Sequence, residues 1–246
     1  MIANDDGIVL AYKPPGLGSA RLVSRLKRLT NCKVGHTGTL DRFAEGLMIL
    51  LVGRATVFSD FFLKLDKSYL ATLKFGVSTN TIDPNGDIIE KWPESKLTSF
   101  LENSQVQITE AIQNRIHQKE QIPPDFAAIK QGGIRLSDRS RKGLPIEVRP
   151  RSVRFYEAYR VFDDTEKCQP TVKAFFSVSS GTYIRSAIRD IGQDLGAPVH
   201  LDQLCRQSVG GFSIDDKIVW HNLDEKPQLI SILSVFANWP KRIVSV

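Results

Sequence analysis

Gly35-His36-Thr37-Gly38-Thr39-Leu40-Asp41, followed at Gly46 by the unbroken apolar run Leu47–Val52, is the stretch on which the reading of this 246-residue chain turns. With Val34 it reads as a Gly/Thr-rich loop, Val34–Asp41, whose glycines permit positive φ and let the backbone come close to a ligand. It is not a P-loop, because no Gly-Lys-Ser/Thr follows at the required spacing. Nor is Gly16-Leu17-Gly18 just upstream a dinucleotide fingerprint, since Arg21 stands where the third glycine belongs. Asp41, beside Leu40 and Phe43, is a lone carboxylate in partly apolar surroundings. Taken alone, a loop aspartate reads as a cap or turn residue. His36 alone reads as a hydrogen-bonded or surface histidine.

Working outward, Ile8–Tyr12 is a short buried strand ended by the turn Pro14-Pro15-Gly16. Ser19 can cap a helix that carries Leu22, Val23, Leu26 and Leu29 on one face. Arg21, Arg25 and Arg28 stripe the opposite face, as phosphate contacts or as solvated charges. Beyond the apolar run, Val57, Phe58, Phe61, Phe62 and Leu65 fit one helical face, and Tyr69–Phe75 alternates as a half-buried strand. Lys96–Lys119 is polar and partly helical. Val153–Val161 and Thr171–Ser179 read as paired strands, and a helix follows with Ile184, Ile188, Ile191 and Leu195 on one stripe. A strand around His200–Arg206 and a poorly patterned C-terminal region complete the chain. Strands and helices mix without regular βαβ alternation, which favours an α+β fold in a single domain spanning 1–246.

The net charge of +6 is unevenly placed. From Lys13 to Arg42, seven basic residues face one acidic residue; from Lys130 to Arg154, eight face two; the remainder carries 18 positive and 24 negative charges. Two basic surfaces on a slightly acidic body suit a polyanion binder, although charge alone leaves two solvated faces open. The second segment is poor in apolar residues, with Gly132-Gly133 and Gly143 as hinges, and reads as an inserted arm over about 124–152. No apolar run reaches the ~18 residues of a membrane span. The acidic N-terminus does not resemble a signal peptide. Three widely spaced cysteines argue against a disulfide framework, and neither Cys-x-x-Cys nor a closely spaced His pair suggests zinc. The expectation is a soluble, reduced, cytoplasmic protein, by default a monomer.

Five strings occur in order: Lys13-Pro-Pro-Gly-Leu-Gly-Ser19, Gly35-His-Thr-Gly-Thr-Leu-Asp41 with Gly46-Leu47, Asp66-Lys-Ser-Tyr69, Gly181-Thr-Tyr-Ile-Arg185 and Leu204-Cys-Arg206. Together they resemble the bacterial tRNA pseudouridine-55 synthase family of TruB type, from about Gly7 to about Leu223. The resemblance implies isomerisation of a T-loop uridine in tRNA, on a mostly antiparallel sheet flanked by helices, without metal or organic cofactor. It makes Asp41 the nucleophile, a role that suits a carboxylate facing positive character at an anomeric carbon. Attack on the sugar, attack on uracil C6 and an elimination route all remain open at this point. The resemblance also implies that Tyr69 stacks on the uracil and helps remove the C5 proton. Arg185 would pair with Asp41, its place at the start of a helix whose apolar stripe begins at Ile184 letting its side chain face away from the core, and Leu204 would line the uracil pocket. Lys13, which taken alone reads as surface charge, and Pro14 would buttress the loops, and His36 would help displace the target nucleotide, which must leave its stack. Ile122-Pro-Pro-Asp-Phe-Ala-Ala-Ile-Lys130 with Gly133-Ile-Arg135 resembles the stretch leading into the family's RNA-gripping loop. Lys130, Arg135, Arg139, Arg141 and Lys142 are then candidate phosphate contacts with the T stem-loop.

The chain departs from the family pattern in places. Gly18 replaces Thr or Ser, Arg42-Phe43 replaces a Pro-containing pair, and Glu45 replaces Thr. Asn80 stands for Asp, with Thr81, Asp83 and Gly86 kept; Phe126-Ala127 stands for Tyr-Ser, and Leu136-Ser137 lacks a usual tyrosine. About 23 residues follow Leu223, where many members append an RNA-binding PUA domain. Two other functions compete on the sequence: a silent tRNA-binding chaperone on the same fold, and a nucleoside N-glycosidase, for which a second carboxylic acid is lacking.

Overall fold

The computed structural model describes residues 6–125, 130–131, 134–135, 148–162 and 170–239. Its main sheet runs in the order β1 (Gly7–Lys13), β3 (Glu45–Val52), β13 (Val199–Val209), β4 (Lys67–Phe75), β12 (Thr171–Val178) and β11 (Phe155–Val161). Strand β2 (Val34–His36) adds to β3, and β14 (Phe212–Ser213) to β13. The pairings β1–β3, β2–β3, β11–β12 and β13–β14 are antiparallel, whereas β13 meets β3 in parallel. This is the mixed, mostly antiparallel sheet of an α+β fold. By its internal contacts the chain divides into two compact units, Met1–Tyr69 with Cys205–Val246, and Leu70–Leu204.

In the first unit β3 is hydrogen-bonded along both edges, to β1 on one side and to β2 and the start of the Cys205–Arg206 ladder on the other. A strand enclosed in this way needs apolar residues on both faces, which is why Leu47–Val52 reads as a run and not as an alternation. All six are at most 1% exposed. On one side Leu47, Ile49 and Leu51 join Ile8, Leu10, Phe62, Val209 and Phe212 in a core that the C-terminal Ile232 and Val235 complete. Helix α1 (Ser19–Thr30) buries Leu22 and Leu26 and ends at Asn31 in the left-handed region. The poorly patterned C-terminal region turns out to protect an edge. Ile8 and Ile230 exchange two backbone hydrogen bonds of 2.9 Å, and Trp220 donates its N–H to the Leu10 carbonyl at 2.7 Å and accepts the Tyr12 N–H at 3.1 Å. These bonds occupy backbone groups of β1 that an open edge strand would present to other chains.

Three expectations in this unit are corrected. Ser19 does not cap α1 through its side chain; Gly18 holds the cap position and the Ser19 hydroxyl is spent on Leu40. Val34–His36 is a strand and not loop, because its backbone adds to the free edge of β3. Val57–Leu65 is not one amphipathic helix but a 3-10 turn, Gly53–Phe58, running into the short α2 (Ser59–Leu63). The break in helical geometry leaves Val57 exposed and Phe62 alone fully buried.

In the second unit, β11 pairs with β12 through a bulge at Phe155/Glu157, close to the expected strands. The polar stretch forms α3 (Glu94–Asn103) and α4 (Gln105–Gln113). Helix α5 (Ile184–Leu195) buries Ile184, Ile188 and Ile191 as expected. Here too lie the hairpin β5–β6 (Val77–Thr79, Ile88–Lys91) and the ladder β7–β10 (Glu120–Gln121, Arg151–Ser152). Within the arm segment the short antiparallel ladder β8–β9 (Lys130–Gln131, Ile134–Arg135) pairs Lys130 with Arg135. Arg139, Arg141 and Lys142, with the expected hinges, lie outside the described residues. A short C-terminal helix, α6 (Ile232–Ala237), belongs to the first unit.

Candidate active site

The Asp41 loop is fastened residue by residue. At its start, the N–H and hydroxyl of buried Thr37 both reach the carbonyl of Ile49, at 3.2 and 3.3 Å. The Ser19 hydroxyl accepts the Leu40 N–H at 3.1 Å and donates to the Leu40 carbonyl at 2.9 Å. After the aspartate, the Arg42 carbonyl takes the Gly16 N–H at 2.8 Å, and Arg42 Nε returns a bond to the Gly16 carbonyl at 2.9 Å. Gly16, at φ +80°, supplies the positive φ of the turn after Pro15.

Lys13 explains why the turn and the loop stay together. It has no exposed surface, and its ammonium donates to the carbonyls of Leu17 at 2.7 Å, Pro14 at 3.1 Å and Arg42 at 3.4 Å. One buried cation therefore ties the 14–17 turn to the residue after Asp41. Burial pushes Lys13 down to about 8, opposed by the Asp41 carboxylate and reinforced by Arg206. Asp41 itself is half-buried. Pro14, also half-buried, opens the turn on which this ammonium acts.

His36 ends β2 opposite Leu50. Its Nδ1 accepts the Gly38 N–H at 3.4 Å, which places the ring proton on Nε2. Burial, then the Arg206 charge, lowers its pKa, so near neutral pH the ring is uncharged. Tyr69 is buried in β4 next to Ser68, whose hydroxyl meets that of Ser208 at 2.6 Å. Glu45, the departure from the family threonine, takes the Tyr12 hydroxyl at 2.5 Å. Burial and that carboxylate raise the Tyr12 pKa well above the phenolic range.

Arg185 and Leu204 belong to the second unit, as do Lys130 and Arg135. Leu204 is buried. The sequence left Arg185 facing away from the core at a helix start; instead it is 5% exposed. Its burial is compensated by a 3.1 Å bond to the Thr81 carbonyl and by Asp83 Oδ2 at 3.8 Å. Asp83 is held in turn by the Thr81 hydroxyl at 2.7 Å and the Asn85 N–H at 2.9 Å. Asp83 and Arg206 are the residues that reasoning from sequence left without a role, although Arg206 ends one of the strings that carry the resemblance and Asp83 is among the positions kept beside Asn80. Arg206 is 2% exposed and donates from Nε to the Leu47 carbonyl at 2.6 Å and from Nη2 to the Gly38 carbonyl at 3.2 Å. Among the described residues no group of three or more His, Cys, Asp or Glu could hold a metal ion, and no helix is long and apolar enough to cross a membrane.

The profile described as TruB family pseudouridylate synthase, N-terminal domain, matches residues 26–184, well over half the chain. The chain belongs to that family. It is 38% identical over 232 residues to the tRNA pseudouridine synthase B of Bordetella avium, covering 92% of each chain. Against the enzyme of the same name from Francisella philomiragia, identity is 38% over 238 residues, covering 94% of this chain and 75% of that one. Among solved structures, a chain of a Cbf5-Nop10-Gar1 complex shares the fold with a TM-score of 0.62 at 23% identity. That match covers 96% of this chain and 58% of the other. Seen as a family member, the chain keeps Asp41 on a loop fixed at both ends, and spends its family Lys-Pro pair on that fixation.

Proposed function

We propose that this chain converts uridine 55 in the T loop of tRNA to pseudouridine, without metal or organic cofactor. On this reading the N1–C1′ bond breaks, the uracil turns while held, and a C5–C1′ bond forms. The C5 proton leaves and N1 gains one, so the base keeps its composition. Asp41 is the nucleophile that meets the reacting carbon. Tyr69 stacks on the uracil and assists loss of the C5 proton, Arg185 pairs with Asp41 and keeps it ionised, and Leu204 lines the pocket. His36 enters the space of the displaced nucleotide as a neutral ring, which costs less desolvation than an imidazolium would. Lys130, Arg135, Arg139, Arg141 and Lys142 contact phosphates of the T stem.

The observation that carries this reading is the placement of a half-buried carboxylate, Asp41, on a loop whose neighbouring carbonyls are held by buried donors. Such fixation is what a nucleophile needs to be preorganised. The relatives' shared name supports tRNA as the substrate. The test is T-arm RNA carrying tritium at uracil C5. Wild-type protein is expected to release label to water while keeping the base attached, and Asp41→Asn to release none while binding the RNA as before. Substantial release by Asp41→Asn would overturn the nucleophile assignment. Free labelled uracil would point to a glycosidase, and binding without release to a chaperone.

A further inference from the structure

The Asp41 loop has one fastening that comes from the far end of the chain. Arg206 lies in β13, where it stands in parallel register with Gly46 of β3. Its guanidinium reaches the Leu47 carbonyl with Nε and the Gly38 carbonyl with Nη2, at 2.6 and 3.2 Å. We infer that Arg206 is a positioning residue for the proposed isomerisation, clamping the Gly38 carbonyl to β3 and thereby fixing where the Asp41 carboxylate stands. This rests on Asp41 being the nucleophile and adds a residue to which no role has been given.

Three features support the clamp. A guanidinium presents donors in a rigid fork, so one side chain can bridge two carbonyls that a lysine ammonium, as a single point, spans poorly. Second, the approach of β13 to β3 is built for it. A Cβ at Gly46 would lie 2.4 Å from the Arg206 carbonyl oxygen and 2.5 Å from its nitrogen, so only glycine lets the arginine backbone come this near. Third, the fastenings form a set. Gly38 is held by Arg206, Leu40 by Ser19 and Arg42 by Lys13, from β13, α1 and β1 respectively. Asp41 sits between the last two and three residues after the first. The Arg206 charge is spent on carbonyls, and it lowers the proton affinity of Lys13 and His36 across the same loop.

A clamp of this kind acts on geometry at the reacting atoms and leaves RNA contacts alone. A displacement of about 1 Å at a reacting group can cost on the order of 100-fold in rate. Arg206→Lys and Arg206→Gln are to be compared with wild type and Asp41→Asn for single-turnover tritium release, RNA dissociation constant and cooperative thermal unfolding. The expectation for Arg206→Lys is a rate constant reduced about 10- to 100-fold, an affinity within about twofold of wild type and a cooperative transition. Ser19→Ala, which removes only the Leu40 fastening, should lower the rate less, and should add less than its own effect on top of Arg206→Lys because both act on one loop. A wild-type rate in Arg206→Lys overturns the proposal, as does a rate loss matched by the loss in affinity or folded fraction. Failure of both Arg206 variants to fold likewise assigns the residue to stability and not to positioning. If wild type releases no label, or Asp41→Asn releases it normally, the underlying reading fails instead, and the two failures stay distinct.

Discussion

A lysine without exposed surface is costly to bury as an ion, and Lys13 meets that cost with three carbonyl acceptors. From sequence it read as surface charge unless the family role was granted, because nothing in Tyr12-Lys13-Pro14 says that three carbonyls will converge there. Its titration gives a test. Burial lowers Lys13 from 10.5 to about 8 in the folded protein. Below about 8 both states carry the proton and the full cost of the buried charge is present. Between 8 and 10.5 the unfolded chain binds more protons than the folded one, so this group makes stability rise with pH in that window. Lys67, also pressed down to about 8 by burial, contributes in the same direction and cancels in a comparison with Lys13→Met. Wild type should therefore gain on Lys13→Met by roughly 1 kcal/mol per pH unit from pH 8 to 10, read by urea unfolding. Parallel curves would mean that Lys13 titrates normally. Ser19 and Arg185 were misjudged for the same reason that Lys13 gave no local signal of its burial. Each lies where local pattern suggests a cap or an exposed helix start, and each is claimed by a partner distant in sequence, Leu40 in one case and Asp83 in the other.

Elements were legible where periodicity reflects a single dominant burial face. Helix α5, the β11–β12 pair and β3 fall close to the expected ranges, because their stripe, alternation and run each follow from how many faces are covered. The Val57–Leu65 stretch failed because apolar spacing cannot distinguish one helix from a 3-10 turn joined to five helical residues, and two of its three aromatics, Phe58 and Phe61, stay at the surface. Gly46 gives the element-scale prediction. It sits at φ +111° against the Arg206 backbone, so an alanine there meets both an unfavourable conformation and a contact of 2.4 Å. Gly46→Ala should lower the unfolding free energy by about 3 kcal/mol or more, by separating β13 from β3. Gly18→Ala is the control: φ is −75°, and nothing lies within 4 Å of the added carbon. It should cost no more than about 1 kcal/mol, the ordinary loss when alanine takes an N-cap position. Equal effects from the two substitutions would show that the strand contact is loose enough to yield.

For the whole molecule, the charge distribution was plain in the sequence, but which charges are available to a polyanion was not. In the α1 stripe, Arg21 and Arg28 are exposed, whereas Arg25 pairs with Asp224 and donates to the Leu223 carbonyl at 2.7 Å. The stripe that looked like three phosphate contacts therefore offers two. Family likeness directs the remaining charge to tRNA, and the proposed arm then has a measurable share. Each phosphate neutralised by a basic side chain releases condensed counterions, and contributes about 0.7 to 0.9 to the slope of log affinity against log salt. Replacing Arg139, Arg141 and Lys142 by alanine should thus flatten that slope by about 2, with T-arm RNA binding measured between roughly 50 and 200 mM salt. Arg25→Ala should leave it unchanged, because that guanidinium already serves Asp224 and the Leu223 carbonyl. Asp41→Asn should also leave the slope unchanged, since it adds no phosphate contact. A slope that stays the same in the triple variant would remove the arm from the interface. In that case the seven basic residues from Lys13 to Arg42 would have to supply most of the attraction, less the buried Lys13 and the paired Arg25.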